Sequence, residues 1–307
     1  MVGFAALRTW GKRSGRGIKA DRRMDLLKRA GLFENNTHGA KIFRATTLDD
    51  LIEAYRLTHD VFVRQGYILP DETGIRVRPF EALPDTATFI AKAGEEVVGV
   101  TSVVIDNPEL GLPTDKAFKA EVGLLRRRGR KICEGTNWLV ADSHRNSAVM
   151  TELMRCCFAH ARAAGCTDFI GAVSPGHAKF YKLLGFEQVG DVRSYSEEIE
   201  DPVVVVRFDL SALSKVLEDI MDGQDETELF LKRYYVDDNP YMRYVRTWQI
   251  LSDRFFVDPR LLVELFVYRS GLLERCGWSE LEAIRLQWGD KLFVEVMSHS
   301  LEYAASV

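Results

Sequence analysis

The sequence has no uninterrupted apolar run near the roughly 20 residues a helix needs to cross a bilayer, and its first residues lack the apolar stretch of a secretion signal. A soluble, cytoplasmic protein is therefore expected. Cysteine is scarce and unpaired in pattern. Cys133, Cys156, Cys157, Cys166 and Cys276 are odd in number and contain no C-x-x-C spacing, which argues against a disulfide framework and against a zinc site. The six histidines show neither metal-ligand nor triad spacing, so no metal is expected. No repeat or low-complexity tract interrupts the chain.

What is present is a chain of 307 residues, 46% hydrophobic, long enough to bury a sizeable core and to hold one domain with an extension. Its net charge of -4 is unevenly spread. Residues 1–31 carry nine Lys or Arg against Asp21 and Asp25, leaving 32 basic against 43 acidic residues for the rest. This basic N-terminal arm, residues 1–40, reads either as a partner-binding segment or as a solvated end. It lacks interleaved aromatics, so no nucleic-acid partner is expected.

From residue 41 the patterning becomes that of a folded domain. A strand is predicted over residues 41–45, then a helix capped by Thr47 with Asp50 three residues on, burying Leu48, Leu51, Ile52, Tyr55, Val61 and Phe62. The stretch from Gly66 to Pro84 holds Pro70, Gly74, Pro79 and Pro84 and is predicted to be irregular. Strands follow over 86–93 and 96–105 with a turn at Gly94, then an insertion with one helix, a strand over 132–141 and a helix over 146–164. Next comes GAVSPGHAKFYKLLGFEQVG, residues 171–190, where Ser174-Pro175-Gly176 starts a helix and Gly185 ends it with positive φ. Val203 to Val206 form the last strand. Beyond Leu210 the pattern turns helical: Asp258-Pro259 opens one helix with Leu261, Leu265 and Leu272 on a face, and Ser279 with Glu282 caps another bearing Leu281, Ile284, Trp288, Leu292 and Val296. Residues 41–210 thus form one domain, and residues 211–307 a helical subdomain, either a lid or a dimerisation platform.

The run His177 to Phe186 resembles the FY-x-x-LGF signature of the GCN5-related N-acyltransferase superfamily. That resemblance implies an α/β fold, a mixed and splayed central sheet flanked by helices, here with an all-helical C-terminal extension. It places Tyr181 at the thioester sulfur, as the acid for the departing thiolate. A second segment, residues 139–150, resembles the strand, turn and R-G-x-G-x-G helix start of the superfamily, with Arg145 matching the Arg and Asn146, Ala148 and Met150 at the glycine positions. The motif presents backbone N–H groups at a helix N-terminus to phosphate. The resemblance assigns Leu139, Val140, Ala141, Arg145, Asn146, Ser147, Ala148, Val149 and Phe180 to the acyl-phosphopantetheine arm. Asn146 and Met150 narrow the cradle for a coenzyme A pyrophosphate, while a carrier-protein arm with one phosphate needs less room. No permanently bound cofactor is implied, only an acyl thioester of acyl carrier protein or coenzyme A as co-substrate.

Glu134, six residues before Val140, matches the position where many members keep a carboxylate that deprotonates the attacking amine. An amino acid is an ammonium ion at neutral pH and cannot attack before losing a proton. Residues 55–67, YRLTHDVFVRQGY, resemble the helix shared by acyl-homoserine-lactone synthases and long-chain N-acyl amino acid synthases of the FeeM type. Lactone synthases keep an Arg where this chain has Ser102 and a Glu-x-x-Arg run where it has Glu134-Gly135-Thr136-Asn137, which favours the amino acid synthase branch. The resemblance makes Arg56, Phe62, Asp85 and Asn137 acceptor-binding residues. The cluster Arg126, Arg127, Arg128, Arg130 and Lys131 is then a docking surface for an acidic acyl carrier protein, or else a solvated loop. The expected reaction is transfer of a long-chain acyl group to the α-amine of an amino acid. A coenzyme A-dependent N-acetyltransferase and a non-catalytic acyl-thioester sensor remain alternatives, and the oligomeric state is open.

Overall fold

Seven strands rich in Val, Ile and Phe join into one sheet in a computed structural model that describes residues 19–29, 33, 36–195, 201–210, 227, 230–231 and 233–304. Most of the basic N-terminal arm lies outside the described residues, apart from helix α1 (Lys19–Arg29) and residues 33 and 36–40. The strands are β1 (Lys41–Arg44), β2 (Ala87–Ala93), β3 (Glu96–Ile105), β4 (Ile132–Val140), β5 (Asp168–Val173), β6 (Glu187–Ser194) and β7 (Pro202–Asp209). Their order is β1-β2-β3-β4-β5-β7-β6, antiparallel throughout except at the central pair β4–β5. This is the mixed sheet expected from the sequence.

That parallel pair positions the site. β4 and β5 are in register only from Ile132↔Asp168 to Glu134↔Ile170. Beyond Glu134, β4 continues beside β3 to Val140, while β5 continues beside β7 to Val173. The sheet therefore forks at Glu134. A bulge drives the parting: between the pairs Val100↔Leu139 and Ser102↔Thr136, two residues of β4 face Thr101 alone, and Asn137 takes φ 55°. Asn tolerates the left-handed region better than most residues, and a bulge bends and twists its strand.

Helices α2 (Leu48–Arg64), α3 (Asp115–Arg127), α4 (Val149–Ala163) and α5 (Pro175–Leu183) flank the sheet. Thr47 caps α2 as expected, its Oγ1 accepting the Asp50 N–H at 3.2 Å. Gly185 follows α5 at φ 91°. Strand alternation divides the core between the two faces. Phe89 of β2 packs with Phe158, Phe169, Phe186 and Phe208 on the α4 and α5 face, and its neighbour Ile90 packs with Tyr55, Val100 and Leu139 on the α2 face. Cys133, Cys156, Cys157 and Cys166 are buried free thiols. Among the described residues no helix is long and apolar enough to cross a membrane, and no cluster of His, Cys, Asp and Glu is suited to a metal.

The C-terminal region is helical but more broken than its periodicity implies: α6 (Val245–Phe256), α7 (Pro259–Val263), α8 (Leu272–Arg275), α9 (Trp278–Trp288) and α10 (Asp290–Ala304). Leu261, Leu265 and Leu272 do not share one helix, because a π turn (Glu264–Arg269) and Gly271 at φ 56° intervene. The Ser279 cap is corrected to Gly277, whose N–H donates to Glu280 at 2.8 Å, and Gly289 at φ 80° separates Trp288 from Leu292. These helices join the α2-face core through Phe266, Trp288 and Val296, with Trp288 Nε1 donating to the Ala82 carbonyl at 2.8 Å.

Candidate active site

The fork encloses a cavity of about 520 Å³ lined by β4 from Glu134 to Val140, by Ala172 and Val173 of β5, and by residues of α2, α5 and the segment before β2. Phe62 belongs to the α2-face packing and Tyr181 to the α5-face packing, and both line the cavity, which therefore runs through the fork from one face to the other. No described residue beyond Val203 lines it.

Glu134 sits at the apex, 2% exposed. Its Oε2 accepts the Thr114 N–H at 2.8 Å. Burial lifts its pKa to about 7, against the pull of the hydrogen bonding from Thr114 and of the Arg78 charge. A carboxyl so placed exchanges protons near neutrality, which suits a general base. Tyr181 is held by edge contacts to Phe186 and Phe180, at ring separations of 5.3 and 5.8 Å. Its hydroxyl makes no hydrogen bond among the described residues, and burial pushes its pKa up, so it is a neutral donor facing the cavity.

The β3–β4 ladder settles which backbone donors are available. Ala141 N–H is already given to the Val98 carbonyl at 2.7 Å. In an antiparallel ladder successive residues alternate direction, so Leu139 N–H also points to β3 and only Val140 N–H turns into the fork. Of Leu139, Val140 and Ala141, Val140 is thus the one with a backbone donor to offer. Leu139, Val140 and Phe180 line the cavity; Ala141 does not.

The loop before α4 is hydrogen-bonded within the protein. Arg145 pairs with Asp142 at 2.5 Å, Asn146 takes φ 59°, and Ser147 Oγ donates to the His144 carbonyl at 2.6 Å while accepting the Val149 N–H at 3.3 Å. Ala148 N–H donates to the Asn36 carbonyl at 2.9 Å, so one donor of the cradle is closed by the segment ahead of β1. Arg145, Asn146, Ser147, Ala148 and Val149 lie outside the cavity, which reaches only Met150 of α4.

Of the acceptor residues, Phe62 and Asn137 line the cavity, whereas Arg56 and Asp85 are exposed and do not. Asp85 serves through its carbonyl, close to His160 Nε2 at 3.1 Å. The basic cluster also divides. Arg126 is tied to Asp106 and Asp115 at 2.6 and 2.5 Å, and Arg130 to Asp168 and to Asp209 at 2.6 Å, so these two are internal ion-pair residues rather than presented charge. Arg127, Arg128 and Lys131 are exposed and make no ion pair among the described residues.

The sequence reading missed Arg76, Arg78 and Glu81, all from the stretch taken as irregular. Arg78 Nη2 donates to Glu81 Oε1 at 2.5 Å, and Glu81 Oε1 also accepts the Asn137 side-chain N–H at 3.2 Å. The available signal was the alternation Ile75-Arg76-Val77-Arg78. Ile75 and Val77 are buried in the α2-face core, and the two arginines turn to the cavity.

Gly135, next to the apex, leaves no room for a side chain. A Cβ there lies 2.5 Å from Phe169 Cζ and 2.9 Å from Trp138 Nε1, and Phe169 is fixed in the core. Gly135→Ala is expected to cost about 1–3 kcal/mol by overpacking, measured by urea denaturation.

The family model for the N-acyl amino acid synthase FeeM matches residues 53–209, just over half of the 307 residues. Among solved structures, FeeM from uncultured soil microbes is similar at 22% identity and TM-score 0.50, covering 60% of this chain and 98% of its own. BjaI, a coenzyme A-dependent acyl-homoserine lactone synthase, shows 20% identity and TM-score 0.43 over 61% and 92% of the two chains. An N-acetyltransferase described from Lactobacillus plantarum shows 15% identity and TM-score 0.41 over 56% and 99%. No protein of curated function matches the sequence.

Proposed function

The chain belongs to the FeeM N-acyl amino acid synthase family and is an acyltransferase, and from that premise we propose that it moves a long-chain acyl group from the phosphopantetheine thioester of an acyl carrier protein to the α-amine of an amino acid. The observation that carries this reading is the fork itself, with an ionisable Glu134 at its apex and Tyr181 on the same cavity. Glu134 takes a proton from the acceptor ammonium, freeing the nitrogen lone pair. That nitrogen attacks the thioester carbonyl, forming the C–N bond, while Val140 N–H stabilises the charge developing on oxygen. The C–S bond then breaks and the sulfur leaves with a proton from Tyr181, while the nitrogen sheds its second proton, which makes good the one Tyr181 has given. The products are an N-acyl amino acid and free carrier thiol.

Two features support a carrier-protein donor. The cradle ahead of α4 has Ala148 N–H engaged by Asn36 and Asn146 and Met150 where small residues admit a pyrophosphate, so a single phosphate is the better fit. The exposed Arg127, Arg128 and Lys131 provide positive charge toward an acidic carrier. In single turnover with one amino acid, palmitoyl-carrier protein is expected to react at least about tenfold faster than palmitoyl-coenzyme A, with product read by mass spectrometry; equal rates remove the carrier preference. A thiol with pKa about 8.5 is a fair leaving group unaided, so Tyr181→Phe is expected to lower kcat by about tenfold or less, measured with the same donor.

A further inference from the structure

We infer that Arg76 receives the carboxylate of the acceptor, so that the cavity selects amino acids over amines and amides. This assignment rests on the N-acyl transfer proposed above and names the part of the acceptor that is read.

The two cavity arginines are not equivalent. Arg78 is matched by Glu81, through Nη2 at 2.5 Å and Nε at 3.2 Å. Arg76 makes one neutral hydrogen bond, from Nη1 to the Asn137 side-chain oxygen at 2.7 Å, and lies over the Phe62 ring with its guanidinium carbon 4.7 Å from the centroid. It contacts no carboxylate among the described residues. A guanidinium has five N–H donors, and most of those on Arg76 have no partner among the described residues. Burial, with repulsion from Arg78, lowers its pKa to about 9, so it is still charged at neutral pH. Arg76 is half-buried, and Glu81, which acts on its charge, is already bonded to Arg78. A partly desolvated cation with no carboxylate bonded to it gains when one binds in its bidentate geometry.

The position matches this role. Asn137 holds Arg76 from the same strand that carries Glu134, three residues or about 10 Å along it. Phe62 and Arg76 belong to the α2 side of the cavity, and Tyr181 to the α5 side, so an acceptor anchored at Arg76 enters the fork opposite the departing sulfur. Glu81 neutralises Arg78 and fixes the Asn137 amide, leaving the Asn137 oxygen to orient Arg76.

The test compares the best amino acid acceptor with its amide and with the corresponding decarboxylated amine, using palmitoyl thioester as donor and product mass as readout. The wild-type protein is expected to favour the amino acid in kcat/KM by about 100-fold. Arg76→Gln is expected to shrink that preference below about tenfold, chiefly through a higher KM for the amino acid, and Arg76→Lys to restore part of it. Wild-type protein that acylates amine and amino acid equally well overturns the assignment while leaving N-acyl transfer standing. An Arg76→Gln protein that keeps the full preference overturns it too. Wild-type protein that acylates none of the acceptors overturns both this assignment and the proposed function.

Discussion

Glu134→Gln is expected to lower turnover by about 10²- to 10⁴-fold, the usual contribution of a positioned general base, while binding of the acyl donor persists. The amide keeps the shape of the carboxyl and can still accept the Thr114 N–H, but it takes no proton from the acceptor. In the wild type, kcat/KM should rise with pH through about 7 as Glu134 ionises and then level off, and this limb should vanish in the variant. The same substitution is expected to stabilise the fold at alkaline pH. Because burial raises the folded-state pKa, the carboxyl favours folding below its unfolded-state value near 4.5, and that advantage is lost as pH rises through about 7. Above pH 7 the ionised carboxylate costs up to about 3 kcal/mol that Gln does not. Denaturation at about pH 8 should show the inactive variant unfolding at higher urea than the wild type.

Asp168→Ala should do the opposite and cost about 3–5 kcal/mol, as expected when one partner of a buried ion-pair cluster is removed. Asp168 is fully buried. Its carboxylate accepts from Arg130, from Arg207 Nε at 2.5 Å and from Thr167 Oγ1 at 2.7 Å. It also opens the short register with Ile132 that holds β4 to β5 before they part. Loss of Asp168 leaves two arginines short of charge at the closed end of the fork. Urea denaturation measures the change, and activity should fall with stability, unlike Glu134→Gln, in which the two move apart.

What the sequence disclosed, and what it withheld, follows the range of the interactions involved. The Thr47 cap, the α5 turn ending at Gly185 and the Val-rich strands are set by neighbours a few residues apart, and all were legible. Glu134 and Tyr181 were found through motif resemblance, and the structure brings them into one cavity. Arg76 and Arg78 were hidden because Pro and Gly around them masked a short alternation, and because their meaning depends on Asn137, some sixty residues away. The bulge at Asn137 was invisible for a similar reason: it exists only against β3. The basic cluster looked uniform in sequence, yet Asp106, Asp168 and Asp209, which claim Arg126 and Arg130 alongside Asp115 of the same helix, come from other segments. Gly289 and the π turn broke helices whose apolar spacing ran on without interruption.

The most direct test of the account is a single-turnover assay with palmitoyl thioester and an amino acid, comparing wild type with Glu134→Gln from about pH 5 to 9. The wild type is expected to give N-acyl amino acid at a rate rising through about pH 7, and the variant little product and no such limb. Equal rates and the same pH limb in both proteins would contradict it.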